Sequence, residues 1–231
     1  MCGRFVAFRR FEEWAEYFPI DICTADVAAS YNIAPTQAIV AIVRRGGQNQ
    51  LEKLHWGLVP FWAKDTTTGS RMINARSETV ADKPSYRTAF RKRRCLILAD
   101  GFYEWTGEKG SKQPMFLTLP DGRPFAIAGL WESWDDMGKA PAPYKSCTIL
   151  TREASDSVRP LHNRMPVILK PAAFAAWLDP DNQDVACLQR IFRNQVYTEL
   201  KSVPVSKRVN AIRNNDPQNI RPWTASSSGR H

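Results

Sequence analysis

Between residues 95 and 151 the chain is cut into five short runs, at 95–99, 102–106, 115–119, 125–130 and 147–151. Each is rich in the aromatic and branched residues that favour a pleated, half-buried surface, and turn signals separate them. Leu119-Pro-Asp-Gly122 is such a signal with a mechanism: Pro presets one dihedral and Gly tolerates the next. This punctuation constrains the fold more than any other feature of the chain. It asks for strands joined by hairpins.

Further strand-like runs lie at 38–43, 51–56 and 72–75, and helical patterns at 11–18, 84–94, 171–178 and 185–196. Strands in the middle with helices on the flanks predict an α+β fold: one domain with a mainly antiparallel, barrel-like β core. No repeat or linker divides the 231 residues, a length that suffices for one substantial core. Residues 1–224 are therefore read as the domain. The small polar residues 225–231 are read as a disordered tail and left out of the fold argument.

The formal net charge of +9 points towards a polyanionic partner, although charge alone is weak evidence. No apolar run approaches the length of a membrane span, and the first ten residues lack a secretory signal's apolar stretch. A cytoplasmic protein without membrane contact is expected. Cys2, Cys23, Cys95, Cys147 and Cys187 are odd in number and scattered, which argues against a disulfide framework and a zinc site. His55, His162 and His231 are too few for a histidine-rich metal cluster, so neither a metal nor a cofactor is expected.

Four segments carry chemistry. Cys2 follows the initiator Met1, and a residue this small permits Met1 to be removed. A terminal Cys is a 1,2-aminothiol: an aldehyde forms an imine with its amine, and the thiol then closes a five-membered thiazolidine. Ring closure is intramolecular and gains a high effective concentration. The plain alternative is a small buried residue at the start of a strand. Gly3 permits close approach to the backbone, and Arg4 puts a phosphate-pairing fork two residues from the thiol. In the second segment, Asn74 offers a donor and an acceptor to a sugar, and Arg76 is a further phosphate ligand. The alternative there is a strand end followed by a helix capped by Ser77. Third, Glu104 lies between apolar neighbours, as a surface charge or as a partly buried acid suited to proton transfer. Fourth, His162 is a proton shuttle or a satisfied structural residue, with Arg164 and Pro166 suggesting a loop over a site.

With these segments in view, the chain resembles the SOS-response-associated peptidase (SRAP) family, whose members process abasic sites. The matching stretches are Met1-Cys-Gly-Arg-Phe5, Tyr31-Asn-Ile-Ala-Pro-Thr-Gln37, Trp56-Gly-Leu-Val-Pro60 with Trp62-Ala-Lys-Asp65, Asn74-Ala-Arg-Ser-Glu-Thr79, Gly101-Phe-Tyr-Glu-Trp105, Ala128-Gly-Leu-Trp-Glu132 and His162-Asn-Arg-Met-Pro-Val167. They occur in the family's order across nearly the whole chain. One departure is Leu98, where the family pattern carries Pro.

The resemblance implies that Cys2 is the nucleophile that crosslinks to the ring-opened sugar of an abasic site in single-stranded DNA. It implies that Asn74 orients sugar and amine, and that Glu104 and His162 move protons. Arg4 and Arg76 would hold flanking phosphates, and the peptidase activity would chiefly remove Met1. Phe61 and Trp62 are candidates for stacking on bases, Arg164 is a further DNA-binding candidate, and Arg87 with the run from Arg91 to Arg94 would line a groove. A monomer is expected, nucleoid-associated if the source is bacterial. Two rivals use the same residues: a thiol peptidase acting on other proteins, and a non-catalytic single-stranded DNA-binding module in which Cys2 is incidental.

Overall fold

The computed structural model describes residues 2–108, 110–135, 138 and 141–223. Met1 and the tail from 225 onward lie outside the described residues. In chain order the strands are β1 (Phe5–Ala7), β2 (Ile22–Cys23), β3 (Ser30–Ile33), β4 (Ala38–Arg45), β5 (Gln48–Trp56), β6 (Asn74–Arg76), β7 (Arg94–Ala99), β8 (Gly101–Thr106), β9 (Gln113–Thr118), β10 (Phe125–Trp134), β11 (Tyr144–Glu153), β12 (Arg164–Pro166), β13 (Ile168–Leu169) and β14 (Lys201–Pro204). The helices are α1 (Phe11–Ala15), α2 (Arg87–Lys92), α3 (Phe174–Leu178) and α4 (Val185–Asn194). Among the described residues no helix is long and apolar enough to cross a membrane.

Five strands close a ring. β10, β7, β4 and β5 pair antiparallel with their neighbours, and β11 completes the circuit. β11 is antiparallel to β10 and parallel to β5, with Ser146 opposite His55 and Cys147 opposite Trp56. The β4–β5 hairpin turns through Gly46 and Gly47, whose φ values of 55° and 80° suit a two-residue turn that needs left-handed backbone at both positions. The expected α+β fold with a mostly antiparallel, barrel-like core is therefore the observed one.

The second sheet is the one that positions the site. Its order is β14-β9-β8-β1-β3, antiparallel throughout. On β8, Phe102 faces the main core, whereas Tyr103 joins a separate cluster with Val6, Phe116, Val205 and Val209. Both faces of β1 and β8 are thus covered, and every residue of β1 is buried. Leu98 on β7, at the departure from the family pattern, is fully buried and pairs with Ala126.

Several expectations are corrected. The helix expected over 84–94 is confined to Arg87–Lys92, and the preceding residues form turns. No helix starts at Ser77: its amide donates instead to the Thr151 carbonyl at 2.8 Å and continues the ladder beside β11. The basic run 91–94 is split by burial. Arg91 and Lys92 are exposed, but Arg93 bonds Glu132 at 2.5 Å and Arg94 is 3% exposed.

The Arg94 guanidinium donates to the carbonyls of Phe90, Arg91, Trp177, Asp179 and Asn182, tying α2 to the end of α3. Burial pulls its pKa down to about 10, so it still carries charge at neutral pH. Arg94→Met leaves these carbonyls without a donor. Because hydrogen bonds to a charged group are worth more than neutral ones, we expect a loss of about 3 kcal/mol. The check is urea denaturation: the midpoint should fall at an unchanged slope.

Candidate active site

Cys2 lies three residues before β1, the strand held between β8 and β3. The ladder pairs Phe5 with Phe102 and Val6 with Gly101, and the Tyr103 amide donates to the Arg4 carbonyl at 2.9 Å. Continuing this register puts Glu104 of β8 opposite Gly3, beside Cys2. Phe5 meets the Trp56 ring edge-on at 5.2 Å, and the Trp56 indole N–H donates to the Ile73 carbonyl at 2.9 Å. That contact fixes the chain immediately before Asn74, whose strand β6 runs parallel to β11 with Asn74 opposite Ile149. Asn74 Nδ2 then donates to the Cys2 carbonyl at 2.8 Å. Its Oδ1 is buried and has no hydrogen-bond partner among the described residues. Desolvating an acceptor without a partner is costly, so this atom is available to a donor on a bound molecule.

The Cys2 thiol is fully buried. Burial, and secondarily the charge of Glu104, pushes its pKa up to about 12, so at neutral pH it is a thiol and not a thiolate. Glu104 is itself buried, and burial raises its carboxyl above the usual range, opposed by nearby groups that include His162. His162 ends a turn in which its amide donates to the Val158 carbonyl at 3.1 Å. Its ring Nδ1 accepts from the Arg164 amide at 2.9 Å, so a neutral ring carries its proton on Nε2. Cys2, Asn74 and Glu104 are therefore brought together, with His162 close enough to act on the Glu104 charge.

The other candidates are placed as follows. Phe61 and Trp62 are exposed, at 61% and 54%. Their loop is braced from below by the Trp134 indole N–H, which donates to the Ala63 carbonyl at 2.8 Å. Arg76 is exposed at the end of β6. Arg164 is engaged within the protein: its guanidinium forks onto Glu78 at 2.7 and 2.9 Å and donates to the Thr151 carbonyl at 2.7 Å. It braces β12 against the exit of β6 and presents no free fork.

Arg4 is half-buried. Its Nη1 donates to Asn32 Oδ1 at 2.7 Å and to the Val209 carbonyl at 3.0 Å, and its guanidinium carbon lies 5.9 Å from the centre of the Trp105 ring. Asn32 was absent from the candidates drawn from sequence. Its place in the Tyr31-Asn-Ile-Ala-Pro-Thr-Gln37 stretch was the available signal. Among the described residues no three of His, Cys, Asp and Glu gather as a metal site. A cleft of about 680 Å³ bordered by Pro120, Ser155 and Lys201 involves none of the four chemical residues.

Comparison with known proteins places the chain in a family. The family profile described as SOS response associated peptidase (SRAP) matches residues 1–212. Abasic site processing protein YoqW of Bacillus subtilis is 41% identical over 223 residues, covering 95% of this chain and 99% of that protein. Abasic site processing protein YoaM of the same organism is 39% identical, covering 94% of this chain and 96% of its own length. A crystal structure of a Bacteroides thetaiotaomicron protein superposes with a TM-score of 0.80 over 96% of this chain and all of that one, at 21% identity, which speaks for the fold alone. On the profile match and these identities, the chain belongs to the SOS response associated peptidase (SRAP) family.

Proposed function

We propose that this protein processes abasic sites by forming a thiazolidine between Cys2 and the aldehyde of an abasic sugar in single-stranded DNA, after its own removal of Met1. The names of the relatives support abasic-site processing, and the geometry around Cys2 supports the chemistry. The observation that carries the reading is a buried Cys2 beside the buried Glu104 on the neighbouring strand, with the Cys2 carbonyl anchored by Asn74. Thiol peptidases depend on a depressed thiol pKa in electropositive surroundings, and here burial moves the thiol the other way.

In the proposed sequence, the freed α-amine adds to the aldehyde and gives a carbinolamine. The protonated Glu104 carboxyl donates to the carbinolamine hydroxyl, which leaves as water, and an iminium remains. The Cys2 sulfur attacks the iminium carbon, its proton passes to the Glu104 carboxylate, and the acid is restored. One water is released, and one C–N and one C–S bond are formed. His162, with its proton on Nε2, serves the opening of the sugar ring. Asn74 Oδ1 accepts from the sugar or the amine. Arg76 and Arg4 bind phosphates, and Phe61 and Trp62 stack on bases, a contact worth about 1–3 kcal/mol per base. We propose residues 1–224 as the functional unit, acting as a monomer.

The test is Cys2→Ala mixed with abasic single-stranded DNA and read by denaturing gel and intact mass. The expected result is no covalent adduct, with non-covalent affinity changed less than about threefold because phosphate contacts supply it. An adduct of unchanged yield would overturn the mechanism.

A further inference from the structure

The contacts of Arg4 leave most of its guanidinium already committed. Nη1 is shared between Asn32 Oδ1 and the Val209 carbonyl, and Nε is buried without a partner among the described residues. Nη2 makes no hydrogen bond among the described residues and is the N–H group left to face a ligand. Asn32 is 1% exposed, and its Nδ2 donates to the carbonyls of Val209 at 3.1 Å, Ala211 at 3.1 Å and Asn214 at 2.7 Å. A primary amide has two N–H bonds, so three acceptors saturate it. The orientation is also unambiguous. Flipping the amide would set Oδ1 against three carbonyl oxygens and aim Nδ2 at a guanidinium.

The same turn is anchored from outside. Trp105 donates through its indole N–H to Asn210 Oδ1 at 2.8 Å, and the Tyr31 amide donates to Asn215 Oδ1 at 2.6 Å. A segment more than two hundred residues away in sequence is thus locked onto the strand beside the N-terminus, and Arg4 is held at the seam.

We propose that Asn32 is a positioning residue for DNA binding: it fastens the 209–214 turn and the Arg4 guanidinium together, and so aims the remaining N–H edge of Arg4 at a phosphate. The proposal rests on the reading that Arg4 meets a DNA phosphate. An arginine on a flexible stem must be ordered when it binds, and Asn32 has already ordered this one. Asn32 touches no reacting atom and acts through Arg4.

The experiment is a double-mutant cycle on the full chain, with Arg4→Ala, Asn32→Ala and the double variant. Affinity is measured for an unmodified single-stranded oligonucleotide, which offers phosphates and no aldehyde, with Tm recorded in parallel. Asn32→Ala is expected to weaken binding about three- to tenfold, as when one long side chain must be ordered on binding, and to change nothing further once Arg4 is Ala. A purely structural role lowers Tm and gives the same change in binding, or none, in both backgrounds, and that outcome overturns the proposal. If Arg4→Ala binds like the parent, the phosphate reading of Arg4 fails, and the proposal falls with it for a distinguishable reason. Should Asn32→Ala not fold, Asn210→Ala replaces it. Asn210 is exposed, and its loss releases the turn from Trp105, so a loss of at least about twofold that depends on Arg4 is expected. An equal effect without Arg4, or no effect, overturns the proposal.

Discussion

Inserting a Lys between Met1 and Cys2 is expected to abolish the denaturation-stable adduct with abasic single-stranded DNA, lowering its yield by at least about 100-fold. The nitrogen of Cys2 is then an amide, whose lone pair is delocalised into the carbonyl, and it cannot form an imine. The sulfur alone adds to an aldehyde reversibly and without ring closure, so the effective-concentration advantage, about 10⁵ M or more for well-oriented groups, disappears. Crowding is the competing explanation, because Cys2 is fully buried at the entry to a central strand. A second version controls for it. A longer leader ending in a protease site, cleaved to leave Cys2 as the first residue, should restore the adduct. Mass spectrometry confirms that the insertion is retained. Parental adduct yield with the extension still present would show that the aminothiol is not the reactive unit, and a conventional thiol mechanism would take its place.

Glu104→Gln is the second large effect. It keeps size and hydrogen-bonding capacity but removes the titrating proton, and we expect single-turnover crosslinking to slow by about 10²–10³, within the usual range for acid–base catalysis. Affinity for DNA should change less than about twofold, since phosphate contacts supply it. The pH dependence gives a sharper reading. Burial raises the Glu104 carboxyl, so its acid form persists above the ordinary glutamate value near ~4.3. A step that needs the acid form is fastest below the raised pKa and slows as pH rises through it. The parent should show this alkaline fall and Glu104→Gln should lose it. The same fall in both proteins would assign it to another group and remove Glu104 from the proton path.

The parts of this molecule that could be read from sequence share one physical property: their signals are local. The five runs between 95 and 151 correspond to β7, β8, β9, β10 and β11, because turn residues bracket them. β1 and β3 carried no such signal. They have three and four residues, and β1 is covered on both faces, so the alternation that marks a half-buried strand is absent. The site candidates came from motifs, each a local word in the sequence. What these side chains touch was not legible, because their partners are remote: Glu78 for Arg164, Val209 for Arg4, Trp177 and Asp179 for Arg94. A basic residue read alone suggests an anionic ligand. The fold had already given several of these arginines partners of their own.

The place of β1 between β8 and β3 has a consequence for the protein's life on the ribosome. Cys2 is made long before its neighbours: Glu104 is on β8 and His162 follows β11, so these side chains cannot come together until about residue 162 has been made. At about 5–20 residues per second, a lag of about 160 residues leaves this stretch in solution for about 8–32 seconds. During that interval Met1 is accessible to any aminopeptidase that works on nascent chains. Afterwards Cys2 lies inside the fold, fully buried. Under the proposed function, removal of Met1 is thereby divided in time between an external route during synthesis and an internal one after folding, and the order of synthesis decides which acts first.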